Sequence, residues 1–242
     1  MIHLAAPLIG EEEIAAVTRV LRSGHIAQGS EVASFETEFA GQFGAGHAVA
    51  VSNGTQALVL ALRAIDLQPG EEVIVPSFTF AATANAVVLA GGVPVFADIE
   101  QASFCIDAGH AATLINQRTK AIIAVHLYGH MAAMRPLARL AAAHGLSLIE
   151  DAAQAHGARR DDLPVGALSD LATYSFYPTK NMTTGEGGMV TTSNPELAKV
   201  VSLLRNHGMQ RQPGQDGILD LLFARFLYIQ LEGHRATSPV FD

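Results

Sequence analysis

Lys180 lies in the run Ser175-Phe176-Tyr177-Pro178-Thr179-Lys180-Asn181, after a hydrophobic stretch and before Gly185-Glu186-Gly187-Gly188. A lone lysine is usually a solvated surface residue. Between an apolar strand and a glycine-rich turn, it is better placed as an amine held against a reacting group. Asp151, in Glu150-Asp151-Ala152-Ala153-Gln154, also follows an apolar run. A carboxylate there either holds a protonated ring nitrogen, keeping a planar ring electron-poor, or caps the segment that follows; position alone leaves both open. Ser52-Asn53-Gly54-Thr55 joins a short strand to an apolar helix, and Asn53 with Gln56 has the spacing of a capping box. Backbone N–H groups at that helix start would favour a phosphate, although a plain helix cap uses the same residues. No Walker lysine follows the glycine and the turn holds no G-x-G-x-x-G, which argues against a nucleotide P-loop or a dinucleotide fold. Pro76-Ser77-Phe78-Thr79-Phe80 lies past another strand, where an aromatic either stacks on a planar ring or packs in the core.

These segments are positioned by an alternation of elements. The pattern predicts strands over 48–51, 73–75, 93–96, 121–125, 146–149, 171–176 and 189–192. It predicts helices over 11–22, 31–40, 54–66, 79–90, 132–144 and 195–205. The helix at 11–22 has an acidic first turn and a basic last turn, which suit its dipole. Short apolar strands separated by helices make an α/β protein with a mainly parallel sheet. Ligands of such sheets bind beyond the carboxyl ends of the strands, where all four segments fall.

Composition narrows the function classes. The 242 residues are 49% hydrophobic and 16% charged, enough for one sizeable core or for one domain plus the start of another. The net charge is −8 with no basic tract, so there is no electrostatic footprint for nucleic acid. Cys105 is the only cysteine, which excludes an intrachain disulfide and fits a reducing compartment. The N-terminus does not read as a signal peptide. The apolar stretch from Phe80 to Val95 is too interrupted to span a bilayer. The expectation is a cytoplasmic protein without a membrane span, and no metal site is called for.

In this chain order, VIVPSFTFAATANAV, TKAIIAVHLYG, LIEDAAQAHGA and SFYPTKNMTTGEGGMV resemble the DegT-type family of nucleotide-sugar aminotransferases, within fold type I of the pyridoxal 5′-phosphate (PLP) enzymes. The resemblance runs from about residue 5 to about residue 211. It implies a mainly parallel seven-stranded sheet flanked by helices and PLP as cofactor. It makes Lys180 the Schiff-base lysine and Asp151 the partner of the pyridine nitrogen. Ser175 would hold the phosphate, with Gly54 and Thr55 adding backbone and hydroxyl contacts. Phe80 would stack on the ring and Gln154 would lie near its phenolic oxygen. Glu186 would shape the turn after the lysine, whereas His126 is read as a satisfied structural residue.

The implied reaction moves an amino group from an amino acid, usually glutamate, to a keto group of a nucleotide-linked sugar, for polysaccharide or glycoside precursors. The family's homodimer shares its active site between subunits. The family's G-x-N-x-R segment has no counterpart after Arg211, so residues 1–211 are read as the large domain with an N-terminal helical segment. Residues 212–242 are read as a divergent tail, with the small C-terminal domain largely missing; a premature stop or shifted frame would produce such a tail. Its stretch 218–231 is rich in Leu, Phe and Ile. On that reading dimerisation and turnover are in doubt. A non-catalytic PLP-binding module or remnant is therefore the alternative. PLP-dependent sugar dehydratases of this fold carry a histidine where Lys180 stands, so the lysine argues against them.

Overall fold

Runs of Val, Ile and Ala too short for helices form the strands of the computed structural model, which describes residues 5–208. The tail and its apolar stretch lie outside the described residues. In chain order the strands are β1 (His47–Val51), β2 (Glu72–Pro76), β3 (Val93–Ala97), β4 (Thr119–Val125), β5 (Ser147–Asp151), β6 (Arg159–Arg160), β7 (Leu163–Pro164), β8 (Leu171–Ser175) and β9 (Gly188–Thr192). Seven of them make one sheet in the order β1-β9-β8-β5-β4-β2-β3, while β6 and β7 form a small hairpin. The pairs β2–β3, β2–β4, β4–β5 and β5–β8 are parallel. β9 runs antiparallel to both β8 and β1, so it alone is reversed. This is the expected mainly parallel α/β sheet.

Alternating side chains feed two apolar layers. Val73, Val75, Ala121, Ile123 and Val125 face one cluster, which also takes Ala57 to Leu62 of α3 (Gly54–Ala64), Ala86 and Val87 of α4 (Ala82–Leu89), and Val201 of α7 (Pro195–Arg205). Ile74, Ile122 and Ala124 face the other, with Phe39 of α2 (Ser30–Phe43), Ala111 of α5 (Ala108–Leu114), and Leu137 and Ala141 of α6 (Met134–His144). Burial on both faces explains why the strands read as continuous apolar runs. α1 (Glu11–Ser23) has its acidic first turn, Arg22 in its last turn and a left-handed Gly24 as cap, as the sequence predicts, yet buries none of its residues.

Several boundaries differ from the sequence pattern. α3 stops at Ala64, and Asp66 turns left-handed at φ 58°. α4 begins at Ala82 rather than residue 79, so residues 77–81 stay out of the helix. β5 extends to Asp151, because its ladder with β4 continues to the pair Val125 and Asp151. α5 and the β6–β7 hairpin are too short to show in the pattern. Among the described residues no helix is long and apolar enough to cross a membrane.

Candidate active site

The carboxyl ends of β4, β5 and β8, with the start of α3 after β1, surround an open cavity of about 640 Å³. All seven residues singled out from the sequence line it: Gly54, Thr55, Phe80, Asp151, Gln154, Ser175 and Lys180. They come from four separate segments and meet only because the parallel strands end on one side.

One wall is built for close approach of backbone to ligand. Asn53 caps α3, its Oδ1 accepting the N–H of Gln56 at 2.8 Å; among the described residues the reciprocal half of the capping box does not form. The first N–H groups of a helix have no partner within it, and they lie here beside Ser175. A Cβ on Gly54 would stand 2.7 Å from Ser175 Cβ, so this helix start and the end of β8 touch at glycine distance. Among the described residues the Ser175 hydroxyl accepts a long 3.4 Å bond from Tyr177 N and keeps its hydrogen to donate.

Asp151 ends β5 and is buried. Its Oδ2 accepts from Thr83 Oγ1 at 3.0 Å and its Oδ1 from Ala153 N at 3.1 Å. Burial pushes the carboxyl above the usual carboxylate range, while those two donors and the nearby His126 and Lys180 pull it back. Position alone left Asp151 open between cap and ring partner. The structure shows a one-bond cap on Ala153 and a carboxylate that also lines the cavity.

His126 follows β4 and is fully buried. Its Nδ1 accepts the N–H of Ala132 at 3.2 Å, so the ring hydrogen is on Nε2 and donates to Glu150 Oε2 at 2.6 Å. Glu150 Oε1 accepts from Gly166 N at 2.9 Å. Both ring nitrogens are used, as expected of a structural histidine, although the ring borders the cavity. Gln154 Oε1 accepts from Tyr128 N at 2.6 Å, which turns the amide so that its Nε2 hydrogens are available.

Lys180 is half-buried, on a turn tied by its own N–H to Tyr177 O at 2.9 Å and by Thr183 Oγ1 to Phe176 O at 2.8 Å. Beneath that turn the His156 ring packs on Tyr174 and Phe176, and burial pushes its imidazole pKa down. Glu186 lines the same cavity and is exposed. Phe80 lines the cavity at its rim and is 72% exposed.

The sequence reading missed Thr79 and Thr83, whose hydroxyls lie 3.0 Å apart. Thr83 was legible only as a small polar residue inside an apolar helix. Among the described residues no group of three or more His, Cys, Asp or Glu could hold a metal ion.

The chain is similar in sequence and fold to known proteins. The chain is 45% identical over 205 residues to a spore coat polysaccharide biosynthesis protein of Bacillus subtilis, covering 85% of this chain and 53% of that protein. It is 44% identical over 226 residues to a dTDP-3-amino-3,4,6-trideoxy-alpha-D-glucose transaminase of Streptomyces venezuelae, covering 91% and 60%. The crystal structure of Bacillus subtilis NtdA with bound pyridoxamine phosphate superposes with a TM-score of 0.79 at 33% identity, covering 91% of this chain and 52% of that one. The chain thus spans a little over half the length of these relatives. Family similarity extends past Arg211, where the sequence motifs end, to residue 221. With residues 7–221 matched, the chain belongs to the DegT/DnrJ/EryC1/StrS aminotransferase family.

Proposed function

We propose that the cavity binds PLP and that the chain provides the cofactor-binding part of an aminotransferase. This enzyme moves an amino group from an amino acid, glutamate, to a keto group on a nucleotide-linked sugar. The observation that carries the reading is the meeting of seven residues at one cavity, each of a type that suits a different part of the cofactor. The fit can be tested on the walls themselves. Gly54 lies where a Cβ would strike Ser175, so the helix start and the serine hydroxyl stand close enough to serve together as a phosphate cradle. A buried carboxylate and a half-buried amine face the same space. The transaminase and NtdA relatives support the reading, through a nucleotide-linked sugar in one name and pyridoxamine phosphate in the other.

PLP, when bound, supplies an electron sink for the carbon that loses a proton. The residues of this chain supply the rest. Asp151 would hold a proton at the ring nitrogen. Ser175, Gly54 and Thr55 would hold the phosphate and so orient the cofactor. Gln154 would offer its Nε2 to the phenolic oxygen, and Phe80 would supply an aromatic surface for the ring. The Lys180 amine, when uncharged, takes the proton from the amino-acid α-carbon. Phe80, Tyr128 and Tyr177 are exposed at or beside the mouth, and a second copy of the chain in a cytoplasmic homodimer would cover them.

The test combines PLP with the purified chain, reduces with borohydride and maps the label by mass spectrometry. The expected label is on Lys180, and Lys180→Ala abolishes it without changing the thermal midpoint. Glutamate with a panel of keto-sugar nucleotides then identifies the acceptor. Labelling elsewhere, or none on folded protein, would overturn the reading.

A further inference from the structure

Two hydroxyls stand in line behind the buried carboxylate. Thr83, in the first turn of α4, is fully buried. Its Oγ1 is 3.0 Å from Asp151 Oδ2 and 3.0 Å from Thr79 Oγ1. An ionised carboxylate only accepts hydrogen bonds, so Thr83 gives its one hydrogen to Asp151. Thr79 must then donate to Thr83. The chain has a direction, Thr79 to Thr83 to Asp151, and it starts at a residue that lines the cavity. The other oxygen of Asp151 is held by a backbone N–H, that of Ala153. Thr83 is therefore the side-chain donor that orients the carboxylate, reaching it from a helix 68 residues earlier in the chain.

The charged surroundings leave this hydroxyl a defined task. Lys180 faces Asp151 from the turn after β8, and His126 from the end of β4. Glu150, next in the chain, is engaged with His126 and Gly166. The α4 sequence ATANAVVL carries no charge, so Thr83 is what that helix offers the carboxylate. Burial disfavours the ionised form, and each donor offsets part of that penalty.

We propose that Thr83 is a positioning residue that keeps the Asp151 carboxylate ionised and oriented in the cavity, with Thr79 as the outer hydroxyl that polarises it. Its part in catalysis rests on the PLP reading, because the group that Asp151 addresses there is a protonated ring nitrogen. Thr83→Val keeps the shape and deletes the hydroxyl, whereas Thr83→Ser keeps the hydroxyl.

The first measurement needs no cofactor: the carbon-13 signal of the Asp151 carboxyl is followed through a pH titration of native chain and variants. In Thr83→Val, Asp151 titrates about one pH unit higher or more. In Thr83→Ser it titrates close to native, and in Thr79→Val it rises less. The second measurement uses nitrogen-15-labelled PLP, whose ring-nitrogen signal moves toward the unprotonated position in Thr83→Val and not in Thr83→Ser. A native Asp151 titration in folded Thr83→Val overturns the proposal whether or not PLP binds. If Thr83→Val does not fold, an unchanged titration in Thr79→Val overturns it instead. A raised titration together with no PLP binding by the native chain supports the role of Thr83 on Asp151 and rejects the cofactor reading alone.

Discussion

Gly54→Ala tests the phosphate cradle at its narrowest point. The added Cβ would stand 2.7 Å from Ser175 Cβ, 3.2 Å from its Oγ and 3.3 Å from its Cα. The first of these is closer than real carbon contacts allow, and two of the three atoms sit next to or on the backbone. The start of α3 and the end of β8 must therefore separate. Overpacking by one methyl costs about 1–3 kcal/mol. Alanine in a helix returns up to ~1 kcal/mol over glycine. The net loss of fold stability is about 0–2 kcal/mol, small enough to leave a folded chain. On the proposed reading ligand binding is hit harder, because separation would misalign the donors meant for one phosphate. Losing one charge-assisted bond, about 1.5–3 kcal/mol, lowers PLP affinity by about 10- to 100-fold. The assay titrates native and variant chains with PLP and with pyridoxal, which lacks the phosphate but reacts with the same amine. The PLP-to-pyridoxal affinity ratio falls about tenfold or more in Gly54→Ala, while pyridoxal binds nearly as in the native chain. Equal ratios in the two proteins would refute the cradle and return Asn53-Gly54-Thr55 to the status of a plain helix cap.

Two further substitutions separate stability from function. Asp151 has its folded-state pKa raised, chiefly by burial. Its contribution to stability is full below the ordinary aspartate value of about 3.9 and is lost as pH rises through the folded-state value. Asp151→Asn thus yields a cofactor-free chain with a higher thermal midpoint than native at pH 8, and the gap closes toward pH 4. The same variant slows the half-reaction with glutamate by about two orders of magnitude, measured by single-turnover absorbance. A lower midpoint at pH 8 contradicts the burial argument. Phe80→Ala removes a ring that is 72% exposed, so the thermal unfolding free energy stays within about 0.5 kcal/mol of native. PLP affinity falls about two- to tenfold through loss of ring contact, and unchanged affinity by fluorescence titration excludes stacking.

Much of the site's geography was legible because parallel sheets place strand ends on one side. Asn53-Gly54-Thr55, Asp151 and Lys180 each lie past an apolar run, and all border the cavity. Strand order was not legible. β2 lies between β3 and β4, and β9 inserts between β1 and β8, arrangements fixed by tertiary packing rather than by local pattern. Thr83 was hidden for a related reason. Its partner is remote in sequence, and the apolar run around it reads as a helix from residue 79, which obscures that Thr79 precedes the helix. His126 shows the opposite case, a residue read as structural whose two ring nitrogens are both bonded within the protein. α5, only seven residues long, is fixed by its Asp107 cap, which accepts from Gly109 and His110; a pattern search over longer windows passes over it.

The reversed strand also sets an order of assembly. Among the described residues β1 is an edge strand that pairs with β9 alone, from His47 opposite Thr192 to Val51 opposite Gly188. It is further clasped by Arg205 of α7, which bonds Ala50 O at 2.9 Å and pairs with Glu36, itself bonded to Ala50 N. More than a hundred residues separate the two strands. At a synthesis rate of about 5–20 residues per second, β1 waits on the order of 10 s for its partner. Meanwhile β2 to β5, linked by shorter parallel connections, are already available to pair. Gly188 then packs so tightly on the turn after β1 that a Cβ there would come within 2.6 Å of the Asn53 carbonyl carbon. The turn that carries Asn53 and Gly54 is thus set in place only after Gly188 has been made, so this side of the cavity is completed late in folding, and any ligand that needs it would close folding rather than nucleate it.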